Sequence, residues 1–546
     1  MKRMIFSLVT AVALQTMTMA QIPKFTHQDT LRGSITPERS WWDLKYYHLD
    51  IIVNPSDSTI TGSNTVIYKV LTPGKVMQID LQNPMKLFKA VQNGKSLNII
   101  KDGNAHFIQF IDIQEQGAIN SVILTYGGRP KISARPPWEG GITWKKDKNN
   151  LPFIASSCQG DGASLWWPCK DHMYDKPDSM LISVNVPANL TDVSNGRLRK
   201  VETLKNKTKT YHWFVSNPIS NYCVNINIGD YVHFGEKFNG EKGVLDCDYW
   251  VLKQNLEKAK VHFAQVTQML KAFEYWFGPY PFYEDSYKLV DAPYLGMEHQ
   301  SSVTYGNGYQ NGYLGNDLSG TGWGEKWDFI IVHESGHEWF ANNITYSDVA
   351  DMWIHESFTN YAENLFVEYY YGKEAGSEYC LGTRKRIRND KPIVGIYNVN
   401  YEGSGDMYYK GGNMFHTLRQ IVNDDTKWRE ILRGINKDFY HQVVTGAQIE
   451  NYLSEKTGTN LKPFFDQYLR DVRIPVFEYY IKNSELFFRW NNCVPGFNMP
   501  MRITVSGDIK ELKPTSGWTS IKVDSASHEI KTYPGYYVAV LNIMGK

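Results

Sequence analysis

The sequence predicts a multidomain α+β protein: a β-rich N-terminal domain, a mainly helical middle domain and a small C-terminal β-sandwich. Three observations carry this expectation. Short alternating or β-branched runs broken by Gly, Asn and Pro fill residues 41–231. Apolar residues then recur at helical spacing, and after Pro475 the alternation returns. At 546 residues the chain has room for about two to four domains.

The elements follow in order. Residues 1–20 read as a secretory leader: Lys2 and Arg3, an apolar run over 4–14, then Thr18-Met19-Ala20 ahead of Gln21. The run is short of the ~20 residues that span a bilayer, no cysteine follows the cleavage point to take a lipid, and no later segment reaches transmembrane length. The expectation is an exported protein, periplasmic or extracellular, with no integral membrane segment after cleavage. Residues 21–238 form the first domain, with strands over 46–53, 64–70, 121–124 and 180–186. The middle domain, 239–472, opens with one long helix over 256–277, where Ala259, Phe263, Val266, Leu270 and Phe273 share a face, and Gly278-Pro279 stops it. Seven glycines between 306 and 324 lack a Gly-Lys-Ser/Thr ending, so they predict a mobile loop flanking a site rather than a phosphate cradle. Helical texture continues through Trp428 to Leu432 and Phe464 to Leu469. Residues 473–546 alternate again and form the terminal β domain.

Composition narrows the function. A formal charge of +1 offers no electrostatic case for nucleic acid. Aromatic residues at 14%, with 35 Tyr and 16 Trp, suit a β-rich protein with aromatic-lined clefts. Cysteines 158, 169, 223, 247, 380 and 493 show no Cys-x-x-Cys spacing, which argues against a thiolate metal site. An oxidising compartment permits disulfides among them without requiring any.

The chemistry concentrates in Ile331-Val332-His333-Glu334-Ser335-Gly336-His337-Glu338. A helix puts His333 and His337 one turn apart on one face, so both imidazoles reach one zinc ion while Glu334 points beside them toward a water. Eighteen residues intervene before Glu356, which heads a second helical run through Phe358, Tyr361, Leu365 and Tyr369. Two histidines and one carboxylate leave the fourth tetrahedral position for water, the composition of a catalytic zinc site.

Four signatures, in order and at similar spacing, make the chain resemble the zinc aminopeptidases of the aminopeptidase N family. They are Gly296-Met297-Glu298-His299, the His333-Glu334-x-x-His337 core, Glu356 at the eighteen-residue gap, and Tyr408-Tyr409-Lys410-Gly411. Weaker echoes lie at Trp167-Pro168-Cys169-Lys170-Asp171 and Phe277-Gly278-Pro279-Tyr280-Pro281-Phe282. The resemblance implies a thermolysin-like catalytic domain behind the N-terminal β domain and one Zn2+ per chain. It implies His333, His337 and Glu356 as zinc ligands, and Glu334 as the base that takes a proton from the zinc-activated water. Tyr408 would stabilise the oxyanion; by chemistry alone Tyr409 is a rival, and only the family's Tyr-x-Lys-Gly pattern selects Tyr408. Glu298 would hold the substrate's free α-ammonium through a charge-assisted hydrogen bond. Gly296 and Met297 would lie on an edge strand that pairs with the peptide, Gly296 allowing close approach. Gln159 would be a second contact to the amine from the N-terminal domain.

The chain departs from the family pattern at the glycine, which sits one place late, at His299 in place of asparagine, and at His355 and Ser357 around Glu356. The two histidines add titratable groups beside the site. A large helical domain that closes the cavity in longer relatives has no room here, and a more open entrance is expected. The leading expectation is a secreted zinc aminopeptidase acting on peptides with a free N-terminus. The alternatives are an endopeptidase or dipeptide-releasing enzyme, a catalytically silent peptide binder, and epoxide hydrolysis as in the bifunctional leukotriene-processing relative. Glu298 argues against an endopeptidase and the complete ligand set with Glu334 against a silent binder.

Overall fold

The computed structural model describes residues 23–523 and 529–544; the leader expected over residues 1–20 lies outside them. Two short helices, α1 (His27–Gly33) and α2 (Pro37–Ser40), lead into a ten-stranded sheet. Its central strand, Trp42–Asn54, pairs antiparallel with Thr59–Val70 and parallel with Ser179–Pro187. Trp42, Leu44, Tyr47, Leu49, Ile51 and Val53 all point into the core, the last four by strict alternation. A register shift between Leu44 and Tyr46 resets that alternation. A second sheet, in the order Thr191–Val193, Asn227–Gly229, Pro152–Ser157, Gly141–Lys146, ends just before Gln159.

A five-stranded sheet opens the middle region, in the order Tyr231–Gly240, Gly243–Leu252, Tyr287–Asp291, Val303–Tyr305, Gly296–Met297. Gly296–Met297 is therefore an edge, antiparallel to Val303–Tyr305. The single helix expected over 256–277 is two helices, α3 (Leu256–His262) and α4 (Gln265–Phe277). The ring of Phe263 is fixed among Tyr249, Tyr305 and Tyr309, with centroids 5.1–5.6 Å away, while His262 reaches Asp328. Phe263 and Ala264 at the junction stay in the right-handed helical region, so only the hydrogen-bond ladder is interrupted, and the apolar period runs on across it.

The remaining helices are α5 (Phe329–Gly336), α6 (Trp353–Tyr371), α7 (Lys373–Thr383), α8 (Tyr409–Val422), α9 (Asp425–Asp438), α10 (Gly446–Thr457) and α11 (Lys462–Leu469). α6 ends at Gly372, whose φ of 96° favours glycine, and α10 starts with a Thr445/Gln448 capping box. The C-terminal strands form one four-stranded and one three-stranded sheet. Their inner residues Phe477, Phe488, Trp490 and Met501 join the same buried cluster as the helices.

The N-terminal core does not stop at the first two sheets: Val290, Ala292, Tyr294 and Met297 of the middle region are packed within it. Lys176 Nζ donates to the Asn342 carbonyl and Tyr294 Oη to the Ser156 carbonyl across the same boundary. All six cysteines are free thiols. No helix of the described residues is long and apolar enough to cross a membrane.

The glycine-rich stretch after Tyr305 is a loop beside the site, but a tied one. Asn307 bonds the carbonyls of Gln310 and Gly312, Asp317 accepts from the Ser319 and Gly322 amides, and Lys385 and Arg386 donate to the Ser319 and Leu318 carbonyls. Backbone donors and acceptors satisfied this way hold a loop that composition alone reads as free.

Candidate active site

Helix α5 starts where Asp328 caps it, its Oδ1 accepting from the Ile330 and Ile331 amides and its Oδ2 from Tyr305 Oη and from His262. One turn on, the His333 and His337 rings lie 5.0 Å apart and nearly perpendicular. The helix then breaks: Phe340 sits at φ −126°, ψ 75° and Ala341 is extended. That break turns the Phe340 carbonyl back to the His337 Nδ1, at 3.1 Å. An apolar run through Trp339 and Phe340 suits a continued helix, but a carbonyl held in an α-helical ladder could not make this contact.

Helix α6 lies across α5 and supplies Glu356, whose Oε2 is 3.4 Å from His337 Nε2 and 3.8 Å from His333 Nε2. Two turns further along the same face, Glu363 Oε1 is 2.8 Å from His333 Nδ1, and Glu363 also receives hydrogen bonds from Asn360 and Tyr379. The Glu363 carboxylate can only accept, so His333 donates to it from Nδ1; His337 Nδ1 faces the Phe340 carbonyl and, at 3.0 Å, Thr359 Oγ1, and the Nε2 atoms of both rings face Glu356. Glu356 Oε2 is buried with no hydrogen-bond partner, among the described residues. Two imidazole nitrogens and one carboxylate oxygen within 4.8 Å of one another, with an orphaned buried acceptor among them, fit zinc in donor type and number.

Glu298 follows the edge strand and is 2% exposed. Gln159 Nε2 donates to Glu298 Oε1 at 2.8 Å and to Glu356 Oε1 at 2.9 Å, so one amide from the N-terminal half links both carboxylates. Because both partners are carboxylates, the amide nitrogen must face them, which leaves the Gln159 carbonyl to meet a cation. Gly296 is required by packing. A Cβ there would come within 2.6 Å of Ile330 Cγ2 and 3.2 Å of Glu334 Cγ, so the glycine admits α5 to the strand. Met297 is buried in the N-terminal core and lines the cavity.

Tyr408 and Tyr409 arrive at the N-terminus of α8. That helix crosses α6 at a contact only glycine allows, since a Cβ on Gly411 would lie 2.0 Å from Ser357 Oγ and one on Gly412 2.2 Å from Asn360 Oδ1. Ser357 Oγ donates to the Met407 carbonyl and fixes the approach. The Tyr408 ring lies 6.1 Å from His333, and Tyr409 lies instead beside Arg386.

The electrostatics suit a cation. Burial pushes the carboxyls of Glu298 and Glu334 up. Burial opposes charge on His337, yet Glu356, Glu298 and Glu334 outweigh it and hold its pKa up at about 10. For Glu356 burial is again outweighed, by His337 and His333, and the carboxyl is held below its ordinary value. Burial, then Glu356 and Glu298, keep the Tyr408 hydroxyl protonated and able to donate. His299 and His355, flagged as extra titratable groups, are both buried and held neutral, with pKa values pushed down by desolvation. His355 Nε2 accepts from the Tyr346 amide, which spends the atom a metal would need.

All nine sequence-selected residues line one cavity of about 360 Å³. The sequence reading did not pick out its other members Glu363, Tyr313, Trp138 and Arg386. Glu363 carried a signal, seven residues beyond Glu356 on one helix face; Arg386 and Trp138 carried none, because tertiary packing brings them in.

Residues 261–468 match the peptidase family M1 domain. Aminopeptidase N of Lactococcus lactis subsp. lactis is 22% identical over 512 residues, 90% of this chain and 57% of that one. The chain thus spans little more than half of that relative's length. Leukotriene A-4 hydrolase of Xenopus laevis is 22% identical over 77% of this chain and 68% of its own. Among solved structures, an M1 zinc metallopeptidase from Deinococcus radiodurans, a mutant bound to a Tyr-Ser-Ala substrate, superposes with a TM-score of 0.68 at 20% identity, covering 80% of this chain and 96% of that one.

Proposed function

We propose, from the match of residues 261–468 to the peptidase family M1 domain and from the site's geometry, that the chain is a zinc-dependent aminopeptidase removing N-terminal residues from peptides. The observation that carries the reading is Glu298, a buried carboxylate bonded through Gln159 to the metal-ligand carboxylate Glu356. A free α-ammonium fits there by charge-assisted hydrogen bonds, and a continuing chain does not.

His333, His337 and Glu356 would hold one zinc ion. When bound, zinc lowers the pKa of water toward about 7 and polarises a carbonyl. Glu298 and the Gln159 carbonyl grip the ammonium and so set which peptide bond lies at the reacting position. Glu334, one residue past His333 and lining the same cavity, takes the proton of the attacking water and delivers it to the departing amine nitrogen. The Tyr408 hydroxyl, kept protonated, donates to the oxygen on which negative charge grows. Glu363 and the Phe340 carbonyl hold the two imidazoles in orientation.

The exported location is part of the proposal and rests on residues 1–20 alone. The test compares hydrolysis of free-amine aminoacyl reporters with their N-acetylated forms, with and without a chelator. Free amines should be cleaved, blocked ones not, and the chelator should abolish turnover; equal cleavage of blocked reporters would sink the exopeptidase reading. Glu334→Gln should abolish turnover yet retain zinc, read by metal analysis of the purified variant.

A further inference from the structure

The cavity has two ends. Gln159, Glu298 and Glu356 form one. On the other side of His333 the wall continues through Phe329, stacked on His333 at 5.0 Å, to Tyr313 at 5.3 Å from Phe329. Arg386 lies at that end: its Nε donates to the Leu318 carbonyl at 2.9 Å and its guanidinium sits 5.8 Å from the Tyr409 ring. Arg386 is itself solvent-exposed, and it lines the same cavity as Tyr313 and Glu334.

Three facts set Arg386 apart from its neighbours. Arg384 is spent on Asn413 and the Gly535 carbonyl, and Lys385 on the Ser319 carbonyl. Arg386 is tethered only through Nε, and neither of its terminal nitrogens meets a carboxylate or carbonyl among the described residues. Among the described residues that line the cavity it alone carries a fixed positive charge, facing four glutamates. A guanidinium held by one edge and stacked on a ring presents its remaining fork to an incoming carboxylate.

A substrate whose ammonium lies at Glu298 and whose carbonyl lies at the histidines continues past His333, where Phe329, Tyr313 and Arg386 line the cavity. We propose that Arg386 receives a peptide carboxylate beyond the scissile bond, so that the enzyme favours short peptides whose own C-terminus falls there. The cavity volume, near the low end of the roughly 300–1,000 Å³ typical of small-ligand sites, agrees with a short occupant. An acidic side chain just past the scissile bond offers the same chemistry. This inference rests on the aminopeptidase reading.

The test uses the full zinc-loaded chain and two peptide pairs. The first compares tripeptides ending in a free acid with their C-terminal amides. The second compares amidated tripeptides with Asp or Asn at the second position. Wild type should favour the acid of the matching pair by roughly tenfold to a hundredfold in kcat/KM, mostly through KM. Arg386→Ala should bring that ratio toward one, Arg386→Lys should keep part of it, and Arg386→Glu should invert it. Ratios within each variant cancel any general loss of activity. Preference in the first pair identifies the C-terminus as the ligand, and in the second the side chain. No preference in wild type, or one that survives Arg386→Ala, overturns the proposal. An aminoacyl anilide, which has no carboxylate, separates the two readings. Wild-type hydrolysis of it without carboxylate discrimination defeats only the role of Arg386, and a silent anilide defeats both.

Discussion

Tyr408 and Tyr409 are neighbours in sequence that meet different chemistry. The Tyr408 ring lies alongside His333, while the Tyr409 ring lies beside the Arg386 guanidinium. Tyr408→Phe is expected to lower kcat by about a hundredfold or more, the usual cost of one oxyanion donor, and Tyr409→Phe by only a few-fold. Steady-state kinetics on an aminoacyl reporter decides it, and the opposite ranking would exchange the two roles. Glu363 makes a separate prediction. Its carboxylate fixes His333 through a 2.8 Å contact. Glu363→Gln keeps an acceptor but loses the charge, so zinc affinity should fall about 10–100-fold in a competition titration with a chromophoric chelator. Unchanged affinity would make Glu363 a packing residue.

At the scale of elements, the crossing of α8 over α6 sets how near Tyr408 comes to Glu356. Gly411→Ala drives a methyl into Ser357 Oγ, which would otherwise be 2.0 Å away. Overpacking of this kind costs about 1–3 kcal/mol. The melting temperature should fall and kcat should fall with it, measured on one preparation; a variant with unchanged kcat would show that the crossing does not position Tyr408. This contact also marks the limit of what the sequence makes legible. Spacing located α5, α6 and the three residues His333, His337 and Glu356 that the fold brings within 4.8 Å of one another, because helical periodicity is local. The break between α3 and α4 and the end of α5 after His337 were not legible, since an interrupted hydrogen-bond ladder and a carbonyl contact to His337 lie beneath an uninterrupted apolar pattern. The loop after Tyr305 read as mobile because its ties are side-chain bonds from Asn307 and Asp317 within it and from Lys385 and Arg386, 66 and 68 residues away from their partners, none of which composition reveals. The close approach of Ile330 to Gly296 was not legible either, because it joins a strand and a helix that only tertiary packing brings together.

Across the whole molecule, the strand bearing Met297 belongs to the core of one half while Glu298, just after it, serves the site in the other. If a divalent ion binds only the native arrangement of His333, His337 and Glu356, its removal must destabilise the fold, by about 2.7 kcal/mol at a free-ion concentration a hundred times Kd. Calorimetry should show the transition several degrees lower after chelation and restored by zinc. A transition that does not move would mean that the three ligands are held in place without the ion. The single amide of Gln159, shared between Glu298 and Glu356, carries this further. Whatever draws one carboxylate shifts the other, and such coupling is reciprocal by thermodynamic necessity. Under the proposed function, a peptide amine docking at Glu298 and an ion docking at Glu356 would alter each other's affinity by the same factor, so occupancy by metal and occupancy by substrate would form one linked equilibrium.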